Sequence, residues 1–175
     1  MFRFLRRMLR AALLDRAVYE EVEHDPGATR EALAVVVLSA VAAGIGSIEN
    51  SGPRGILWST LAALVGWYVW AYTTYLIGTR LLPTRDTVAD HGQLLRTIGF
   101  SSAPGLVRLL AVIPSIAGPA FLLGTLWMML AMVVAVRQAL DYTSTLRAIA
   151  VCAIGFPVYA ALLVISLLLL GAWPV

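Results

Sequence analysis

Residues 120–136 read AFLLGTLWMMLAMVVAV, seventeen consecutive positions without a charge and apolar on every face of the helix they would form. A soluble helix keeps a polar face, whereas a helix crossing the roughly 30 Å hydrocarbon core of a bilayer needs about 20 predominantly apolar residues. This run therefore reads as a membrane span, and four further stretches of the same kind surround it, at 32–48, 56–82, 94–113 and 148–170. The composition agrees: 60% of the 175 residues are hydrophobic and 13% are charged, against roughly 45–50% and about 25% in ordinary globular domains. An all-α, polytopic membrane protein follows, with a cytoplasmic amphipathic segment over 1–25 and a five-helix transmembrane domain over 26–175. There is no room for a separate soluble domain, and the charged first thirty residues do not read as a cleaved signal peptide.

Arginine placement gives the expected orientation. All thirteen basic residues are arginine, and cytoplasmic loops collect positive charge. With five spans, eleven arginines fall on the side of the N-terminus, leaving Arg54 in the opposite loop and Arg108 inside a span. The N-terminus is thus expected in the cytoplasm and the C-terminus outside, with Trp58 and Trp173 at the outer interface. Absence of lysine excludes Schiff-base chemistry. The single cysteine, Cys152, excludes a disulfide framework and a cysteine-rich metal site. No Ser-His, Asp-Asp or His-Glu-x-x-His arrangement lies in any span, so no catalytic residues, cofactor, metal or nucleic-acid partner are expected.

Near the N-terminus, Phe2, Leu5, Met8, Leu9, Ala12 and Leu13 share one helical arc and Arg3, Arg6, Arg7 and Arg10 the other. This predicts an interfacial helix lying on anionic lipid, with the four arginines as candidate membrane-surface or partner-binding residues. Glu20, Glu21, Glu23 and Asp25 follow as a solvated acidic turn, and Asp25-Pro26 resembles the start of the first span.

Inside the membrane region, Tyr68, Tyr72, Tyr75 and Thr79 recur at i, i+4, i+7 and i+11, a hydroxyl stripe expected to face protein as an interhelical seam or a polar path. Asp90 and Gln93 form a capping-box pattern ahead of the third span. Gly99, Phe100, Ser101, Ser102, Pro104 and Gly105 then predict a break at Ser102 to Gly105, because proline removes a backbone donor and clashes with the preceding turn. A repaired kink and a polar cavity are both compatible with that break. Arg108 is the one charge placed within a span. Snorkelling to the outer end and an intramembrane anion or headgroup site are its two readings. The spacings Ala40 to Gly44 and Ala42 to Gly46 favour close helix packing.

Three stretches, YEEVEHDPGATREA (Tyr19 to Ala32), RTIGFSSAPG (from Arg96) and WMMLAMVVAVRQALDYTSTLRAIAV (from Trp127), resemble bacterial members of the Yip family. That family is named for Ypt-interacting proteins, whose eukaryotic members bind Rab-type GTPases. The resemblance covers nearly the whole chain and is most specific at the glycine-aromatic-Ser-x-x-Pro pattern of Gly99, Phe100, Ser101 and Pro104. It implies five spans, a cytoplasmic N-terminus and a non-enzymatic role in organising membrane or partners, which include the lipid bilayer, other membrane proteins and a homo-oligomer. Where eukaryotic relatives carry an acidic Leu-Tyr-Gly-Pro motif, this chain has His24-Asp25-Pro26-Gly27, which argues against GTPase binding. The exclusive use of arginine fits a bacterial cytoplasmic membrane. The alternative function is a small transporter, channel or lipid-handling protein whose path uses the tyrosines, Ser101, Ser102 and Arg108.

Overall fold

The computed structural model describes residues 1–85 and 87–169. Leu170, Trp173 and the C-terminal tail therefore lie outside the described residues, and with them the end of the fifth expected span and one expected interfacial indole. The described chain is helical, with α1 at Phe2–Ala12, α2 at Arg16–Glu23, α3 at Ala28–Gly46, α4 at Ile48–Leu76, α5 at His91–Phe100, α6 at Ala117–Ala139 and α7 at Thr145–Leu169. A π-helical turn, Ile77–Leu81, extends α4, and a 3-10 segment, Ala103–Val112, extends α5. Three stretches are long and apolar enough to cross a membrane, Ala28–Gly46, Arg54–Leu81 and Pro114–Ala139, and Thr145–Ala161 is a shorter apolar helix.

The break in the third stretch occurs where its residues require it. Asp90 and Gln93 make the reciprocal capping box that starts α5, satisfying amide groups that a helix start leaves without partners. The α-helix stops at Phe100, ahead of Ser101-Ser102, and the chain resumes as 3-10 helix with Pro104 in its first turn. Its tighter winding rises about 2.0 Å per residue against 1.5 Å for α-helix, so ten residues reach further than an α-helical continuation. This segment packs between α3 and α6. Gly46 permits that approach, since a Cβ there would overlap the Arg108 carbonyl oxygen, and Gly44 lets α4 close on α3, a Cβ there lying 3.0 Å from the Ile56 Cα.

Contacts gather the helix ends into two groups. At one end, Arg96 donates to the carbonyls of Val22 and Glu23, Gln138 donates to Glu20, and Thr87 donates to the Leu140 carbonyl at 3.3 Å. Tyr142 donates from its hydroxyl to Leu82 at 2.7 Å and to Gly78 at 3.2 Å, satisfying carbonyls in and beside the π turn. At the other end Arg108 reaches Thr125 on α6, and Gly46 meets Arg108 and Ala111.

Several local expectations are corrected. The acidic stretch is no solvated turn: most of it is α2, whose N-cap Asp15 accepts from Ala17 N–H and whose Val18, Tyr19, Val22 and Glu23 are buried. The first long helix runs from Ala28, two residues after Pro26, while Asp25 makes the N-cap bond expected of it, its carboxylate accepting from the Gly27 amide. The tyrosine stripe does not face protein throughout. Tyr68 and Tyr72 are 57% and 49% exposed, since α4 is held to the body by its other face, where Trp67 donates to the Leu95 carbonyl and Trp70 contacts Met132.

Candidate functional site

The two N-terminal helices form a cap packed on the bundle, α2 against α5 and α6, and α1 against the 3-10 segment. Tyr19 is fully buried and donates to the Ala11 carbonyl at 3.0 Å; burial also raises its hydroxyl pKa. Trp127 of α6 donates to the Ala12 carbonyl at 2.8 Å. Met8, Ala11, Val18, Tyr19 and Val22 join Val35, Phe100 and Ala135 in one apolar cluster, where each large aliphatic side chain contributes about 1.5–3 kcal/mol when removed from water.

The four N-terminal arginines divide by environment. Arg7 is 4% exposed and bonds to Glu21 at 2.8 Å, Asp25 at 2.9 Å and Glu31 at 2.9 Å. Burial opposes its charge, but the bonds to Glu31, Glu21 and Asp25 outweigh burial and raise its pKa. Arg7 in turn holds the carboxyl groups of Glu21 and Asp25 below their ordinary range. Arg10 pairs with Asp15 at 2.7 Å and Glu21 at 3.1 Å, and Arg3 with Asp25 at 2.9 Å. Arg6 is exposed, with no ion pair among the described residues. The structure thus brings Arg3, Arg7 and Arg10 together as a clamp between α1, α2 and the start of α3, and leaves Arg6 outward. A recess of about 220 Å³ is lined by all four and Glu21.

The apolar arc of α1 also divides. Met8 and Ala11 turn into the protein, whereas Phe2, Leu5, Leu9 and Leu13 are exposed. Those four recur at i, i+3, i+7 and i+11, a stripe of the kind that enters a lipid interface. Behind the cap, Glu23 is 2% exposed and its Oε2 has no hydrogen-bond partner. Burial, then the nearby Asp141 and Glu20 carboxylates, push its pKa up to about 7.

The intramembrane candidates have separate partners. Gly99 lies against Ala32 and Trp67, where an added Cβ would come 2.7 Å from the Ala32 Cβ. Phe100, Ser101 and Pro104 are buried. Ser101 donates to the Ile98 carbonyl at 2.7 Å and contacts the Met132 sulfur at 3.8 Å, and the Ser102 amide donates to the Gly99 carbonyl. Tyr68, Tyr72 and Tyr75 surround the His91 ring at centroid distances of 5.0, 5.6 and 6.5 Å. Arg108 turns to Thr125 and Phe121 instead. His91, Thr125, Phe121 and Glu31 were not singled out by sequence reasoning, and Glu23 was read there only as part of a solvated turn. Only Arg7 carried a usable signal: on the wheel it sits beside Ala11, at the edge of the face that docks.

A family model described as the Yip1 domain matches residues 13–168. No curated protein and no solved structure matches the chain.

Proposed function

The chain belongs to the Yip1 domain family, and from that premise we propose that it is a non-enzymatic, five-span protein that organises membrane or membrane-protein partners through its cap. The carrying observation is the combination on α1 of an internal clamp centred on Arg7 and an outward stripe of Phe2, Leu5, Leu9 and Leu13 beside Arg6. A rigidly held amphipathic helix presents its apolar stripe and Arg6, which has no ion pair among the described residues, to the same surface, which suits anionic lipid headgroups above acyl chains. The two groups of helix ends support five passes, and the concentration of arginine at the cap supports a cytoplasmic N-terminus and an external C-terminus in a bacterial cytoplasmic membrane. Other membrane proteins and a second copy of the chain are the further partners of this reading.

Clustering of anionic lipid is the measurable consequence. Proteoliposomes containing a few per cent of a self-quenching phosphatidylglycerol probe should quench more strongly with the wild-type protein. Exchange of Leu5, Leu9 and Leu13 for glutamine, or Arg6→Gln, should reduce that effect. Quenching that both variants retain in full would remove the cap from the function.

A further inference from the structure

Arg108 lies in the 3-10 segment that replaces the rest of the third helix, against Gly46 at the far end of α3 from the Glu31 that pairs with Arg7. Its guanidinium is anchored. Nη2 donates to Thr125 Oγ1 at 2.9 Å, and the Thr125 hydroxyl spends its own proton on the Phe121 carbonyl at 2.7 Å, so it faces Arg108 as an acceptor. The guanidinium carbon lies 5.8 Å from the Phe121 ring centroid, within cation–π range. Gly124 completes the seat, since a Cβ there would come 2.9 Å from Arg108 Cγ. Phe121, Gly124 and Thr125 therefore form one face of α6 shaped to the arginine side chain.

That seat leaves the charge unanswered. An arginine offers five N–H donors, and among the described residues only one has a hydrogen-bond partner. Nε is buried without any partner, and no carboxylate pairs with Arg108 among the described residues. A guanidinium in a low-dielectric setting needs a counter-anion, and its fork fits phosphate or carboxylate oxygens in pairs. The surroundings indicate which anion. Leu109, Leu110, Leu122 and Leu123 are all exposed beside the seat, a surface made for acyl chains. From Arg108 to Ile113 the 3-10 rise spans about 10 Å, roughly the depth from which an arginine side chain meets the headgroup layer.

We propose that Arg108, positioned by Thr125, Phe121 and Gly124, binds the phosphodiester of an anionic phospholipid in the leaflet opposite the cap. The site needs that end of the molecule to be embedded in lipid but does not depend on the cap. Native mass spectrometry of the full chain released from detergent, titrated with phosphatidylglycerol and with phosphatidylcholine of the same acyl chains, tests it. The wild type should hold one phosphatidylglycerol about tenfold more tightly than phosphatidylcholine, because the choline cation already compensates the phosphodiester that Arg108 would meet, which weakens one charge-assisted contact by about that factor. Arg108→Gln should abolish the preference, while Arg6→Gln keeps it, separating this site from the cap. Should Arg108→Gln fail to fold, Thr125→Val, which preserves volume and charge, should lower the preference by removing the acceptor. A preference that survives both substitutions, or is lost only with Arg6→Gln, overturns the proposal. Inorganic phosphate displacing the lipid at equal concentration would overturn the lipid assignment in favour of a free-anion site.

Discussion

Replacing Arg7 by glutamine removes the one positive charge held simultaneously by Glu21, Asp25 and Glu31. Breaking a buried ion pair by deleting one partner costs about 3–5 kcal/mol, because the other charge stays behind unpaired. Here the three carboxylates are 39%, 28% and 22% exposed, so water rehydrates them in part and the loss falls to about 2–3 kcal/mol. At 1.36 kcal/mol per decade, the docked-to-undocked ratio of α1 should fall on the order of 30- to 150-fold. Cys152 is the only cysteine, so a Cys152→Ser, Met8→Cys background places one thiol at a buried position of α1. Its reaction rate with a water-soluble maleimide in detergent reports undocking. Arg7→Gln should accelerate labelling by that factor, and Arg6→Gln, altering an exposed side chain, should change it less than twofold. Equal effects of the two substitutions, or none from Arg7→Gln, would refute the clamp.

Two further substitutions test the interior. Tyr142→Phe leaves the Gly78 and Leu82 carbonyls without their hydroxyl donor and should cost about 1–3 kcal/mol, read as a lower thermal midpoint in detergent. Opposing titrations govern the cap. Glu23, raised from 4.5 to about 7 by burial and then by Asp141 and Glu20, binds a proton in the folded state that the unfolded chain has released. Its contribution therefore falls as pH rises from about 4.5 to about 7. Asp15, Glu21 and Asp25 are lowered, chiefly by Arg10 and Arg7, so their stabilisation is present above their ordinary values and is lost as pH falls through the lowered ones. Cap protection in amide exchange should thus peak near pH 5. Glu23→Gln should raise it at pH 8 by about 1–3 kcal/mol while leaving pH 5 nearly unchanged; a variant with less protection than wild type at pH 8 would exclude this assignment.

What the sequence determined by itself is what short-range physics encodes. Unbroken apolar runs such as 120–136 identify membrane helices because hydrocarbon thickness sets a length that a soluble helix does not need. The Asp90 and Gln93 box and the break before Pro104 were legible because both act within a turn or two of their own backbone. The π turn at Ile77–Leu81 gave no such signal; its Gly78 carbonyl and that of the following Leu82 are met by Tyr142, sixty or more residues later. Tertiary structure alone decided the sites. Arg6 and Arg7 are adjacent and chemically identical, yet one is exposed and the other clamped, because Glu21, Asp25 and Glu31 come within reach only after α2 and α3 fold back over α1. Tyr68 and Tyr72 of the tyrosine stripe stay largely exposed, and Tyr75 packs inward, because the tryptophans hold another face of α4. For Arg108, sequence supplied a charge inside an apolar run, and only the packing of the 3-10 segment against α6 supplied Thr125, Phe121 and Gly124 around it.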